Sequence, residues 1–346
     1  MDKILLTGAT GHIGNVVARL LVEKGFKVTA LIVKDENIEP ISDLNLNIVY
    51  GDVRDKSLLL SLIDENTVVF HLAGIINIGI KNIDLIYDVN VGGTKNIVDC
   101  CVEKNAKKLI YTSSVHTIYP EKGVVLCEPE VFDETKIEGE YAKTKTIATK
   151  YVFDACKNRG LKAVVTYPAG VIGPYDYKIS ELGQVVLDYI NKKLLAYVKG
   201  GYNFVDVRDV ADGIIKAYEH GKIGEGYILS GEYVPLKKLF NIINKKIGRK
   251  GLPPLLAIGF VRMFARACEN YYIRRNKKPL FTWYSLYTLT SNSNFCNEKA
   301  KKELGYTTRS FESTIFDTID WFVNNKPELI NFKKIKNIKP QIARST

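Results

Sequence analysis

The chain has 346 residues, 46% of them hydrophobic and 25% charged, a balance near the globular average that allows a main domain with a smaller attachment. No apolar run reaches the roughly 18 residues of a membrane helix, and MDKILLTGAT does not resemble a signal peptide, so we expect a soluble cytoplasmic protein with no integral membrane segment. The formal net charge of +11 does not imply a nucleic-acid partner, because lysine is spread over the chain and much of the excess sits in the last segment, NFKKIKNIKPQIARST.

In chain order, KILLT is a short apolar run ending at a glycine, and Ile13, Val16, Val17, Leu20 and Leu21 then recur at helical spacing. KVTALIV, LNIVY, NTVVFHLA, KKLIYTSS and LKAVVTYP read as further strands, with long helical stretches at 84–104 and about 134–159. Nearly continuous apolar strands alternating with helices predict an α/β fold, a parallel sheet covered on both faces. After about residue 175 the alternation loosens. ISELGQVVLDYINKK and VDVRDVADGIIKAYEHG carry helices and GYILSG a strand. From Pro235 onward a mostly helical lobe is expected, with aromatic residues at Phe260, Phe264, Tyr271, Tyr272, Phe281, Trp283 and Tyr284. We expect this small lobe to lie over the sheet's carboxyl edge. The amphipathic segment LLAIGFVRMFARACENYYIRR is read as packing over a substrate pocket in preference to lying on a membrane.

The six cysteines, at 100, 101, 127, 156, 268 and 296, form no CxxC pair, and the four histidines, at 12, 71, 116 and 220, have no metal-ligand spacing. Reduced thiols and a metal-free mechanism are expected.

TGATGHIG occupies the turn from the first strand to the first helix. There Gly8 takes backbone angles closed to other residues, Gly11 lets the chain approach a pyrophosphate, and Gly14 allows close packing of helix on strand. The helix N-terminus adds unpaired amides and partial positive charge. Thr7, Gly8, Thr10, Gly11, His12, Ile13 and Gly14 are therefore expected to bind a dinucleotide.

With two residues between its first two glycines, this loop resembles that of the extended short-chain dehydrogenase/reductase family, and further family motifs recur in order. GDVRD places Asp52, with Val53, at the adenine; HLAG places Leu72, Ala73 and Gly74 beside the nicotinamide ribose; NVGGT contributes Asn90, expected to order the cofactor-side helix. YTSS brings Thr112 and Ser114, YAKTK brings Tyr141 and Lys145, and YPAGVIGP brings Tyr167, Pro168, Gly170 and Val171; FVDVRDVADG is the last, so the likeness covers residues 4 to about 232. It implies a Rossmann-type doubly wound sheet in 1–175, completed by 204–232, a substrate lobe in 176–203 and 233–330, and a basic tail in 331–346. The helical stretches 84–104 and 134–159 pair across a two-fold axis in many relatives, which implies a homodimer.

The resemblance also implies the chemistry. Tyr141 exchanges a proton with a substrate oxygen, Lys145 one helical turn on and the positive nicotinamide ring of the bound cofactor lower its pKa, and Ser114, chosen over Ser113 by a gapless match, hydrogen-bonds the same oxygen. His71 is expected to pack beside the cofactor and His116 to be a loop residue. Lys34 after the second strand favours NADP, whereas Asp35 would serve NAD. Sugar-nucleotide enzymes of the family commonly carry an arginine where Tyr202 stands and an asparagine or arginine where Tyr167 stands. Their absence removes an anion clamp, and the chain looks more like the dihydroflavonol-reductase and 3β-hydroxysteroid-dehydrogenase branch. The expected activity is NADP-linked oxidoreduction of a small-molecule secondary alcohol or ketone. The alternatives are a nucleotide-sugar epimerase or dehydratase, or a non-catalytic nucleotide-binding sensor or scaffold.

Overall fold

The structure is a computed structural model and describes residues 2–76, 82–261 and 283–335. Phe264, Tyr271, Tyr272 and Phe281, most of the amphipathic segment and the end of the basic tail lie outside the described residues.

The chain opens with β1 (Lys3–Thr7), α1 (His12–Glu23), β2 (Val28–Ile32), β3 (Asn47–Tyr50), α2 (Lys56–Leu62) and β4 (Thr67–His71). Next come α3 (Ile83–Tyr87), a π-helical turn (Asp88–Gly93) and α4 (Thr94–Glu103), which run into one another, then β5 (Lys108–Thr112), α5 (Glu140–Arg159) and β6 (Ala163–Pro168). β7 (Gly170–Ile172), α6 (Glu181–Ile190), β8 (Tyr197–Val198), β9 (Gly201–Asp206), α7 (Val207–His220) and β10 (Gly226–Leu229) follow. β11 (Glu232–Pro235), α8 (Leu236–Ile247), β12 (Leu255–Leu256) and helices Trp283–Thr290, Glu298–Leu304 and Phe311–Asn325 complete the order.

Two compact units result. The first comprises Met1–Ala169, Val207–Ser230 and Asn294–Thr308. Its seven-stranded sheet has the order β10-β6-β5-β4-β1-β2-β3, every pairing parallel. This is the parallel sheet the alternation predicts, in the Rossmann-type form the resemblance implies, and its central strands are buried on both faces: Leu5, Val69, Leu109 and Val165 share one core with residues of α4 and α5. The order reverses at β1, whose neighbours are β2 and β4. At such a switch point the loops leaving adjacent strands diverge and open a crevice at the carboxyl edge.

α5 meets this core with an unusual face. Ala142, Thr144, Thr146, Ala148, Thr149, Val152 and Ala155 are buried. Small side chains let the helix approach the sheet closely, and Thr146 and Thr149 donate to the carbonyls of Ala142 and Lys145 one turn back (2.8 and 2.6 Å), so their burial leaves no orphan hydroxyl.

The second unit comprises Gly170–Asp206, Gly231–Ser293 and Arg309–Thr346. Beside its helices it holds a three-stranded sheet, β11-β9-β7, and the small pair β12-β8. Tyr189 stacks on Phe240 at 4.4 Å and Phe204 on Phe311 at 5.4 Å, within a core that includes Ile243, Ile319 and Phe322. No helix among the described residues is long and apolar enough to cross a membrane.

Candidate active site

The loop after β1 has the geometry that a dinucleotide needs. Gly8 sits at φ +76°, and a Cβ there would meet the Leu72–Ala73 backbone at 2.7 Å; a Cβ on Gly14 would lie 1.9 Å from the Gly8 carbonyl oxygen. Both are therefore confined to glycine, one by conformation and contact, the other by contact alone. α1 starts at Gly11 with no side-chain cap and no acid in its first turn, which leaves its N-terminal amides open to an anion. A bare helix N-terminus flanked by backbone approaches that exclude Cβ atoms fits a pyrophosphate.

Asp52, the residue expected at the adenine, is gripped by Arg54, whose Nε and Nη2 donate to its carboxylate (3.0 and 2.7 Å). That guanidinium holds the carboxyl below its ordinary pKa against the opposing effect of burial. Val53 is buried and its methyl lies against Gly93 of the π-helical turn, which locks NVGGT onto GDVRD. Lys34 and Asp35 are exposed just past β2, Asp35 with φ +69°.

A buried polar chain links the strand ends. Thr94 donates to the Asn90 carbonyl (2.7 Å), so its oxygen accepts from His71 Nε2 (3.0 Å). His71 Nδ1 is thereby left to accept from the Thr7 hydroxyl (2.8 Å), whose oxygen takes the Ala73 amide (3.2 Å). One proton per hydroxyl fixes the neutral Nε2–H tautomer, and burial, reinforced by repulsion from Lys145, holds the imidazole's pKa down to about 3. Asn90 continues the chain. Its carbonyl oxygen accepts the Ile75 amide (2.8 Å), and its amide donates to the Ile75 carbonyl (3.1 Å) and to Thr144 (3.1 Å), which donates to the Tyr141 carbonyl (2.8 Å).

Gly139, at φ +89°, starts α5 abruptly, so Tyr141 falls in its first turn with Lys145 one turn further. Lys145 is buried, donates to the Thr112 carbonyl (2.7 Å) and lies 4.5 Å over the Tyr111 ring. Burial brings its pKa down to about 8. Ser114 caps a 3-10 turn (Val115–Thr117), accepts the His116 amide (3.2 Å) and lies close enough to the Tyr141 phenol to pull its pKa down. Ser113 faces away, paired with Thr149 at 2.6 Å.

Lys145 pulls the Tyr141 pKa down as expected, and Ser114 does the same, but burial outweighs both in this chain alone and raises it. Desolvation penalises the phenolate more than a single buried ammonium relieves it. Tyr167 also differs from expectation at its side chain, which is fully buried against Gly226, so its ring has no route to a cofactor. Thr7 is likewise buried, its hydroxyl committed to His71 and Ala73.

Sequence reasoning missed two neighbours. His116 packs edge-on against Tyr141 at 6.4 Å, burial bringing its pKa down to about 4; nothing in a loop motif announces that contact. Thr144 ties Asn90 to the Tyr141 turn, and the threonines at 144 and 149 within YAKTKTIATK, spaced with Tyr141 and Lys145, were the available signal.

The fold and this constellation define an NAD-type dinucleotide enzyme with a serine, tyrosine and lysine at the sheet edge. Residues 4–230 match the NAD dependent epimerase/dehydratase family, and the chain belongs to it. It is 26% identical over 322 residues to the sterol demethylase protein B of Methylococcus capsulatus (92% of this chain, 97% of that one). It is 28% identical over 330 residues to a putative dihydroflavonol 4-reductase of Synechocystis (94% and 95%). The crystal structure of gox2253 superposes with a TM-score of 0.83 at 32% identity, covering 96% of this chain and all (100%) of that one.

Proposed function

We propose that the protein reduces a ketone, or oxidises the matching secondary alcohol, with NADP(H), and that its substrate is apolar or flat and not a nucleotide sugar. The observation that carries this reading is the Ser114–Tyr141–Lys145 arrangement: a phenol near Ser114 with a buried ammonium one helical turn away, both of which pull its pKa down. The raised pKa of Tyr141 favours the reductive direction, because a phenol that keeps its proton at neutral pH is ready to give it to a carbonyl oxygen as that oxygen gains charge. Ser114 donates to the same oxygen, and the Lys145 ammonium stabilises the phenolate left behind. Bound nicotinamide supplies or accepts the hydride; Gly8, Gly11, Gly14 and the α1 N-terminus hold its pyrophosphate.

Lys34 supports NADP. It is exposed at the carboxyl end of β2 and makes no ion pair among the described residues, whereas Arg54 is occupied by Asp52. Tyr202 and Tyr167, standing where sugar-nucleotide enzymes carry polar or cationic groups, support an uncharged substrate, as do relatives whose names refer to a sterol and a dihydroflavonol. Self-association through α4 and α5 into a cytoplasmic homodimer completes the reading; sedimentation as a monomer at micromolar concentration would remove that part.

The test is a screen of ketones, flavonoid-like compounds, steroids and nucleotide sugars with NADPH and NADH, read at the reduced-nicotinamide absorbance and by product analysis. Net NADPH consumption with a ketone or steroid supports the proposal. An altered sugar with total cofactor unchanged points to epimerisation.

A further inference from the structure

Cys127 and Cys296 are 169 positions apart in sequence, yet the first unit brings them side by side. Leu126 and Phe295 form a parallel bridge, with the Leu126 amide donating to the Asn294 carbonyl (2.9 Å) and the Cys296 amide donating to the Leu126 carbonyl (2.8 Å). The next residue on each strand is a cysteine. Both flanks are anchored: the Ile228 amide donates to Glu128 (2.9 Å), Asn297 donates to the Ser230 carbonyl (2.8 Å), and Leu126 and Phe295 pack on the core. Burial, with the Cys296 thiol nearby, pushes the Cys127 pKa up. Cys127 is exposed and Cys296 half-buried, whereas Cys100 and Cys101 are buried.

We propose that Cys127 and Cys296 are a dithiol modification site, converted to an intramolecular disulfide by exchange with a low-molecular-weight disulfide. The exposed Cys127 thiolate attacks one sulfur of the small disulfide, forming a mixed disulfide and releasing one thiol. The Cys296 thiolate then attacks the Cys127 sulfur, closing the protein disulfide and releasing the second thiol. The two cysteines give up two electrons and two protons, which leave on the two small thiols. Register neighbours on a bridge have the short backbone separation a disulfide requires, and the closed loop of about 170 residues restricts the unfolded chain far more than the folded one. The bond would pin residues 118–133, which lead into α5, to residues 294–297. The site is independent of which reaction the enzyme performs.

The experiment treats the reduced full chain with oxidised glutathione at pH 8.5. Thiols are counted before and after, peptides are mapped by mass spectrometry, and the melting temperature is followed. We expect a cross-linked 127–296 peptide lighter by two hydrogens, two thiols lost under native conditions, and a rise in melting temperature of several degrees. Dithiothreitol should reverse all three, and Cys127→Ser or Cys296→Ser should abolish them. Separate glutathione adducts on the two cysteines without cross-linking, or oxidation confined to other thiols, would overturn the proposal. The wild-type peptide map decides this even if a serine variant folds poorly.

Discussion

Acidification from pH 7 to pH 5 should destabilise the protein through His71. The unfolded imidazole titrates near 6.5, whereas in the folded chain it is held down to about 3. Between those values the unfolded chain binds a proton that the folded chain refuses, so stability falls as the pH drops below about 6.5 and goes on falling toward 3. At pH 5 the gap from 6.5 is about 1.5 units, and at 1.36 kcal/mol per unit the loss is about 2 kcal/mol. His116, brought down to about 4, acts in the same direction. The lowered carboxylates, such as Asp52 and Asp99, titrate in the unfolded chain only near pH 4 and contribute little in this window. Urea unfolding followed by circular dichroism at pH 7 and pH 5, on wild type and His71→Gln, isolates the effect. The variant is less stable at pH 7, having lost the relay from Thr7 to Thr94, but its loss between the two pH values should be smaller than wild type's by about 2 kcal/mol. Equal losses in the two proteins would refute a neutral, buried His71 that rejects a proton.

Other changes test the site directly. Gly14→Ala, whose methyl would sit 1.9 Å from the Gly8 carbonyl oxygen, should weaken NADPH binding more than tenfold in a fluorescence titration and lower the melting temperature. Tyr141→Phe should cut turnover by roughly 10²- to 10⁴-fold while NADPH affinity changes little. Because burial brings the Lys145 pKa down to about 8, the reductive rate should decline above about pH 8 as the ammonium loses its proton; Lys145→Met should be far slower at every pH and lack that limb. Asn90→Ala strands the Ile75 amide and carbonyl and removes the donor to Thr144, and should cost about 1–3 kcal/mol in denaturant unfolding.

The parallel sheet was legible because a strand buried on both faces must be apolar at nearly every position; KILLT, TVVFH and KLIYT are such runs. The phosphate loop was legible because sterics leave glycine alone at Gly8 and Gly14. β7 and β9 were not read as strands: β7 is three residues long, and the GYNFVD of β9 mixes polar and apolar positions because it pairs in a small sheet of its own. α5 looked polar because its buried face is built from threonine and alanine, whose suitability depends on a close helix approach that hydropathy does not record. The sign of the Tyr141 shift was out of reach for a similar reason. A lysine four residues away is visible in sequence, but the depth of burial that overrides it is a property of the folded unit.

The match to the epimerase/dehydratase family ends at Ser230, yet the first unit does not. Tyr227 donates to Glu303 (2.8 Å), Lys216 to the Gly305 carbonyl (2.8 Å), and Tyr306 is fully buried. A fragment trimmed where that match ends would thus be missing a rib of its own nucleotide-binding body, and expression of residues 1–230 alone should give an aggregating chain. Excision here must follow the contacts that residues 294–308 return to the sheet, wherever the family match ends.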